Sequence, residues 1–306
     1  MSRDIVSFDP QPPAEEPLHF DREPSNQVHR PEEREGEDGP KIAPEVRQPP
    51  SLPPEREDSP RAYLLRNRSF LLRESQLLSM TELGKFRVVP AADLARFAYA
   101  SDTARMERDV RRLKGQGLVS DQTLAISRRR ILRVLTLTKT GKRLLQNTRR
   151  VPEDQQLYHG IARAREAEHD AELYRLFQTE AARIETAGGK PLRVLLDYEL
   201  MRDLNRDRAK LGKQGNDPQE IERLAQRHGL VVVDEKIPLP DMRIEYQTAE
   251  LELSRVDLEL ATRHYGPGGV AEKAKAGFSL YSHREDASRL RRILDDQGLT
   301  ARIRSL

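Results

Sequence analysis

The sequence contains no cysteine. Disulfides, thiolate zinc sites and cysteine nucleophiles are therefore excluded, and the composition suits a reducing cytoplasm. No apolar run approaches the ~18–20 residues that a helix needs to cross a bilayer, so no membrane partner is expected. Walker A, GxGxxG and catalytic-triad spacings are all missing, which leaves nucleotide hydrolysis and redox chemistry without support. Hydrophobic residues are scarce too: 36% of the chain against 34% charged, with a mean hydropathy of −0.76. Part of such a chain is expected to be unfolded.

What is present is unevenly spread. The 306 residues suffice for two domains of ordinary size. The net charge of +3 hides a segregation. Residues 1–60 carry 7 basic against 15 acidic residues, a net −8. Residues 61–150 carry 21 against 7, a net +14, and residues 151–306 carry 25 against 28, a net −3. The middle third thus holds the whole positive excess, the electrostatic footprint of a polyanion binder.

Residues 1–60 also hold 13 of the 20 prolines. Runs such as PPAEEP and PPSLPPERED cannot continue a helix or a central strand. A disordered acidic tail is expected there, and its start is unlike a signal peptide. Placed next to a basic module, such a tail would either act as a plain linker or compete weakly with DNA.

The stretch from Pro90 to Arg143 reads as a helix-turn-helix followed by a wing. The first helix is AADLARFAY, with Leu94, Ala95 and Phe97 on its apolar side. After the break at Ser101-Asp102, Thr103 opens a second helix whose Met106, Val110 and Leu113 line one face. Its outward face carries Arg105, Arg108, Arg111, Arg112 and Lys114, and Gly115 and Gly117 end it. A hairpin follows, from Leu118-Val119 to a return strand over Ile131–Thr138, with Arg128, Arg129 and Arg130 at its second arm. A helix fits the major groove of duplex DNA, and a basic ribbon beside it reaches the backbone. The alternative is a helix whose arginines merely face solvent. Upstream, residues 63–65 and 70–72 form two short strands or an extended arm, and Glu74–Phe86 should be the module's first helix.

Beyond Pro152 the pattern changes to an α/β domain with a small mixed sheet, which makes the whole chain α+β. A helix is expected over residues 162–187, then strands over 193–200 and 230–233, and helices over 201–211 and 217–228. Strands over Pro240–Tyr246 and Arg255–Leu260 should pair, followed by helices over about 269–282 and 284–297 and an end strand at 300–304. The expected divisions are 1–60, 61–150 and 151–306.

The two paired strands carry acids. Asp241 follows Pro240 on one; Asp257 and Glu259, two apart, share a face of the other. Hard cations need oxygen ligands, usually two or more carboxylates, and a cation so held activates water and steadies a phosphodiester's charge. Glu172 and Glu180 lie upstream, Lys273 and Lys275 downstream. Candidate catalytic residues are thus Asp241, Asp257, Glu259, Lys273 and Glu172, with Asp241, Asp257 and Glu259 as metal ligands and Mg²⁺ as the cofactor. His169-Asp170 and His264-Tyr265 are secondary candidates. Polar residues alternating on a half-exposed strand are, however, ordinary in a chain this charged.

In order, YLLRNRSFLLRESQ, LSMTELGKFRVV, DLARFAY and RDVRRLKGQGLV, then EHDAELYRLF, LLDYELMRDL, LPDMRIEYQ and VDLELATRHYGPGGVAEKAKAGFSLY, resemble the replication-relaxation family of plasmid and mobile-element proteins. The resemblance spans roughly residues 61–285. It implies a winged-helix DNA-binding domain joined to a domain similar to PD-(D/E)XK nucleases. Asp241 would match the Pro-Asp position, and Asp257 with Glu259 the acidic strand. The lysine usual two residues after the last acid is absent, since Ala261 follows Glu259; Lys273 would have to replace it.

Three functions follow as expectations. The first is sequence-selective binding of double-stranded DNA in plasmid replication or DNA relaxation, in a bacterial cytoplasm. The second is a Mg²⁺-dependent nuclease or nickase. The third is a non-enzymatic homodimeric regulator, which would leave an inverted-repeat footprint with half-sites about one helical turn apart.

Overall fold

The computed structural model describes residues 52–127, 130–161, 166–212, 215, 217–262 and 265–306, and of Ser127 and Arg130 the backbone alone. The expected tail over residues 1–51 lies outside the described residues. Its last part does not behave as a tail. Asp58 is 3% exposed, and its Oδ1 accepts the backbone N–H groups of Glu74 and Ser75 at 2.8 and 3.4 Å, which satisfies two free donors at a helix start.

A two-stranded antiparallel arm, β1 (Arg61–Leu65) and β2 (Arg68–Leu72), leads into three helices: α1 (Glu74–Lys85), α2 (Ala91–Ala98) and α3 (Thr103–Gly115). The turn between α2 and α3 places Ala100 and Ser101 at φ of 50° and 69°. Asp102 then caps α3 by accepting Arg105 N–H at 2.9 Å. The wing is the hairpin of β4 (Val119–Ser127) and β5 (Arg130–Leu137), with β3 (Val89–Pro90) on the far side of β5. Thr138 caps α4 (Lys139–Asn147), which packs so closely on the hairpin's root that a Cβ at Gly141 would lie 2.1 Å from the Leu118 carbonyl oxygen.

The second half is a five-stranded sheet in the order β10-β9-β8-β7-β6. The strands are β6 (Lys190–Leu196), β7 (Met242–Gln247), β8 (Leu253–Leu260), β9 (Ser279–Ser282) and β10 (Ile303–Ser305). β7 runs antiparallel to its two neighbours β6 and β8; β9 and β10 continue the sheet parallel to β8. One face buries Val194, Leu196, Met242, Ile244, Leu258, Leu260 and Tyr281 in a cluster with α5 (Ala167–Thr186). The other packs Leu280 against α8 (Pro267–Lys275) and α9 (Arg284–Asp296). Helices α6 (Asp197–Lys210) and α7 (Pro218–Arg227) follow β6, and Asp217 caps α7 ahead of Pro218.

The two halves share one core. Phe86 after α1 meets Tyr174 and Phe177 of α5 at ring distances of 5.1 and 5.3 Å, contacts that add roughly 0.5–1.5 kcal/mol per pair beyond area burial. Arg175 Nε donates to Asp93 of α2 at 2.7 Å, and Gln178 Nε2 to Glu82 of α1 at 2.9 Å.

Element boundaries differ from expectation in several places: the end strand starts at Ile303 rather than 300, α5 at Ala167 with residues 162–165 outside the described residues, and three differences go further. Residues 197–200 form the first turn of α6 rather than the end of a strand. Residues 230–233 form no strand; Val233 makes an isolated bridge with Lys236 around Asp234 and Glu235, both at positive φ. The apolar run is real, but a tight turn consumes it. The helix expected over 269–282 stops at Lys275, and Gly277 at φ 80° turns the chain into β9.

Candidate nucleic-acid surface and buried acid cluster

Met106, Val110 and Leu113 of α3 are buried against the core, so the helix turns its cations outward. Asp109 anchors it from below, accepting Ser75 Oγ at 2.7 Å, Gln76 Nε2 at 3.1 Å and Tyr99 OH at 3.1 Å. Arg111 and Arg112 are exposed and make no hydrogen bond or ion pair among the described residues. Lys114 is exposed and lies 3.6 Å from Asp121 of β4. Thr103 is exposed at the helix start. Arg105 and Arg108 are engaged by the chain's own oxygens: Arg105 Nη2 donates to Pro53 O at 2.7 Å and Asp58 Oδ2 at 3.2 Å, and Arg108 pairs with Glu55.

The hairpin holds its register from Val119↔Leu137 to Ser127↔Arg130. Arg128 and Arg129 lie outside the described residues, and of Arg130 only the backbone is described. A clamp that the sequence did not announce fixes the hairpin to α3. Arg133 on β5 donates to Asp121 from Nε at 2.9 Å and to Glu107 of α3 from Nη2 at 3.0 Å. Hydrogen bonds from Arg133 hold the Glu107 and Asp121 carboxyls below the usual carboxylate range. Glu107 carried a readable signal, as one of only two acids among the cations of α3, the other being the buried Asp109.

Antiparallel pairing of β7 with β8 sets Arg243 opposite Asp257 and Met242 opposite Leu258. That register brings Asp241 beside Glu259. Asp241 Oδ2 accepts Leu260 N–H at 2.8 Å, and Asp241 N–H donates to Glu259 Oε2 at 3.1 Å. Glu259 is fully buried. Lys273 Nζ of α8 lies 3.0 Å from its Oε1 and donates to Leu239 O at 2.5 Å, and Tyr265 OH also donates to Glu259. Burial first, then the Asp241 charge, pushes the Glu259 carboxyl up to about 7, against the opposing pull of Lys273. His169 Nε2 of α5 lies 3.5 Å from Asp241 Oδ1. Burial alone would lower its pKa, but Asp241, Asp170 and Asp197 outweigh that and raise it to about 9.

The other expected site residues are placed elsewhere. Asp257 is held by Arg243, Nε to Oδ1 at 2.6 Å and Nη2 to Oδ2 at 2.8 Å, while the same guanidinium donates to His228 O and Gly229 O. Glu172 pairs with His283 Nε2 at 3.0 Å. Glu180 binds Arg183 and Tyr281. Lys275 pairs with Asp234 at 3.3 Å. His264 lies outside the described residues. Asp241, Glu259 and Lys273 therefore converge, and Asp257 and Glu172 do not join them.

A Mg²⁺ centre does not fit this donor set. Both Glu259 oxygens are engaged, and Asp241 keeps one oxygen, which faces the His169 ring. Among the described residues, no group of three or more His, Cys, Asp or Glu could hold a metal ion. Arg87, which no sequence signal marked, supplies a second cation at the junction of the halves. Its Nη2 donates to Asp197 Oδ1 at 2.8 Å, and its guanidinium lies within 3.9 Å of Glu166 and Asp170. Asp197 N–H in turn donates to Asp241 O at 3.0 Å.

No protein-family model matches the chain, and no curated protein matches it. The likeness to the replication-relaxation family therefore stays a resemblance. Among solved structures, the chain is similar to the crystal structure of Bacillus subtilis PadR in complex with operator DNA. The identity is 14%, the match covers 53% of this chain and 81% of that one, and the TM-score is 0.21. At that score the likeness carries no weight for fold or function. The chain itself is an α+β fold with a helix-turn-helix and hairpin in its first half. Among the described residues, no helix is long and apolar enough to cross a membrane.

Proposed function

We propose that the chain binds double-stranded DNA through α3 and the β4–β5 hairpin, in the manner of a winged helix. The observation that carries this is Arg111 and Arg112. They stand in solvent without an ion pair among the described residues, on a helix whose opposite face is the core. The net +14 of residues 61–150 supplies the long-range attraction. Guanidinium groups so placed can take phosphate oxygens or pair with guanine edges. Arg133 holds the hairpin at a fixed angle to the helix, so both would dock as one surface. A role in plasmid replication or DNA relaxation belongs to this proposal only through the resemblance.

Fluorescence anisotropy with a short labelled duplex tests the reading. Each charge-assisted contact is worth a net ~1.5–3 kcal/mol, so Arg111→Ala/Arg112→Ala should weaken binding by about tenfold or more. Equal affinity of the double variant and the parent would sink this assignment. For the acid cluster, Asp241 and Glu259 with Lys273 and His169 act in this proposal as a charge-balanced joint rather than a hydrolytic centre. Incubation with supercoiled plasmid and Mg²⁺ should leave it uncut. Nicking that Asp241→Asn abolishes would instead establish the nuclease reading.

A further inference from the structure

The cationic face of α3 is divided in two. Arg105, Arg108, Arg111 and Arg112 follow at spacings of three and four, so they form one continuous stripe. Its C-terminal half is open, and its N-terminal half is covered by residues 53–58. That cover is made of oxygen acceptors: the Pro53 carbonyl and the Asp58 carboxylate on Arg105, and the Glu55 carboxylate on Arg108. Phosphate offers the same chemistry to the same guanidinium groups.

The two contacts differ in kind. Asp58 is fixed: it is buried, it caps α1, and the Arg105 side chain over it is only 12% exposed. Burial pushes the Asp58 carboxyl up, but hydrogen bonds from Ser75, Arg105 and Glu74 outweigh this and hold it below the usual range. Glu55 and Arg108 are 58% and 46% exposed and lie on the surface, where an ion pair is worth ~0–1 kcal/mol and exchanges freely. The turn at Pro54, whose carbonyl accepts Glu57 N–H at 2.9 Å and Asp58 N–H at 3.1 Å, sets Glu55 against the helix. In helix-turn-helix docking, the N-terminal residues of the second helix meet the base edges. The covered half is therefore the half that would read sequence.

We propose that residues 53–58 form an acidic strap that competes with DNA for Arg105 and Arg108, anchored at Asp58 and releasable at Glu55. The proposal rests on the DNA-binding reading above. Opening the Glu55 contact frees Arg108 for the duplex while the fold stays intact.

The test uses the full chain and a short labelled duplex, with anisotropy measured across a salt series. Glu55→Ala should tighten binding roughly two- to fivefold, the scale of an exposed ion pair. It should also steepen the salt dependence of binding by about 0.9, because Arg108 then neutralises one more phosphate. Glu57→Ala is the charge-matched control, since Glu57 makes no ion pair among the described residues; it should change affinity less. In an Arg108→Ala background the Glu55→Ala effect should vanish. Equal tightening by Glu55→Ala and Glu57→Ala, or tightening that survives Arg108→Ala, would overturn the strap in favour of a general charge effect. Unchanged affinity in Glu55→Ala, alongside weakened binding in Arg111→Ala/Arg112→Ala, would overturn the strap and leave DNA binding standing. Failure of every form to bind would remove both. Binding by Glu55→Ala alone, where the parent chain fails, would support the strap most strongly.

Discussion

Arg111 and Arg112 on α3 stand in solvent, whereas Arg243 on β7 is 4% exposed and spends its guanidinium on Asp257, His228 O and Gly229 O. Lys114 is exposed at the end of α3, whereas Lys273 sits over a fully buried Glu259. The difference lies in the supply of acids. Residues 61–150 have one acid for every three bases; residues 151–306 have slightly more acids than bases. Where acids are few, a surplus of cations stays outside once Arg87, Arg105 and Arg133 have taken their partners, and that surplus defines a surface. Where acids match them, charges pair and join elements of the fold. Under the DNA-binding proposal, the outward charge of Arg111 and Arg112 is what meets a partner, whereas charge in the second half serves the protein itself.

The largest expected effect probes the inward side. Arg243→Ala leaves Asp257 without its partner. Breaking such a buried pair costs about 3–5 kcal/mol, measured by urea unfolding, with no change in DNA affinity once the fold is restored by lower temperature. A loss under ~1 kcal/mol, the range of a surface pair, would erase the contrast between the halves.

Gly141→Ala comes next and probes how the hairpin is mounted. A methyl group cannot share space with the Leu118 carbonyl 2.1 Å away, so α4 must shift at a cost of ~1–3 kcal/mol. DNA affinity should fall with it, because the hairpin's root moves relative to α3. Unchanged stability would mean that α4 is free to slide.

A smaller effect comes from His169. Its folded pKa is raised to about 9 from an ordinary 6.5. Its contribution is fully present below about 6.5 and is lost as pH rises through about 9. The ring is 42% exposed, so the effect is discounted for screening to about 1 kcal/mol, or roughly 2–4 °C in Tm for a chain of this size. The parent chain should lose that much between pH 6 and pH 10 in excess of His169→Asn. Parallel Tm curves would show that the ring does not feel Asp241.

The first half was legible because its signals are local. The helix start at Thr103 and the apolar stripe of α3 each lie within a few residues, and the boundaries of α1, α2 and α3 followed within a residue or so. In the second half the pairing of β7 with β8 was also readable, and with it the meeting of Asp241 with one acid of the Asp257/Glu259 pair. What could not be read was partner choice across long separations. Asp257 and Glu259 alternate identically in sequence, but Arg243 stands across from one and Lys273 reaches the other. Arg87 meets Asp197 across 110 positions, and no spacing rule anticipates that. Residues 52–60 differ from expectation for a related reason: proline and acid content forbids helix, but it does not forbid a fixed strap on a basic surface.

The central claim is that cations on α3 are left outward for a polyanion. The most direct measurement is the slope of log binding constant against log salt for the parent chain and for Arg111→Ala/Arg112→Ala. Each phosphate contact contributes about 0.9 to that slope, so the double variant should be shallower by up to ~1.8, with stability within ~0.5 kcal/mol of the parent. Identical slopes, or a parent chain whose binding ignores salt, would contradict the account.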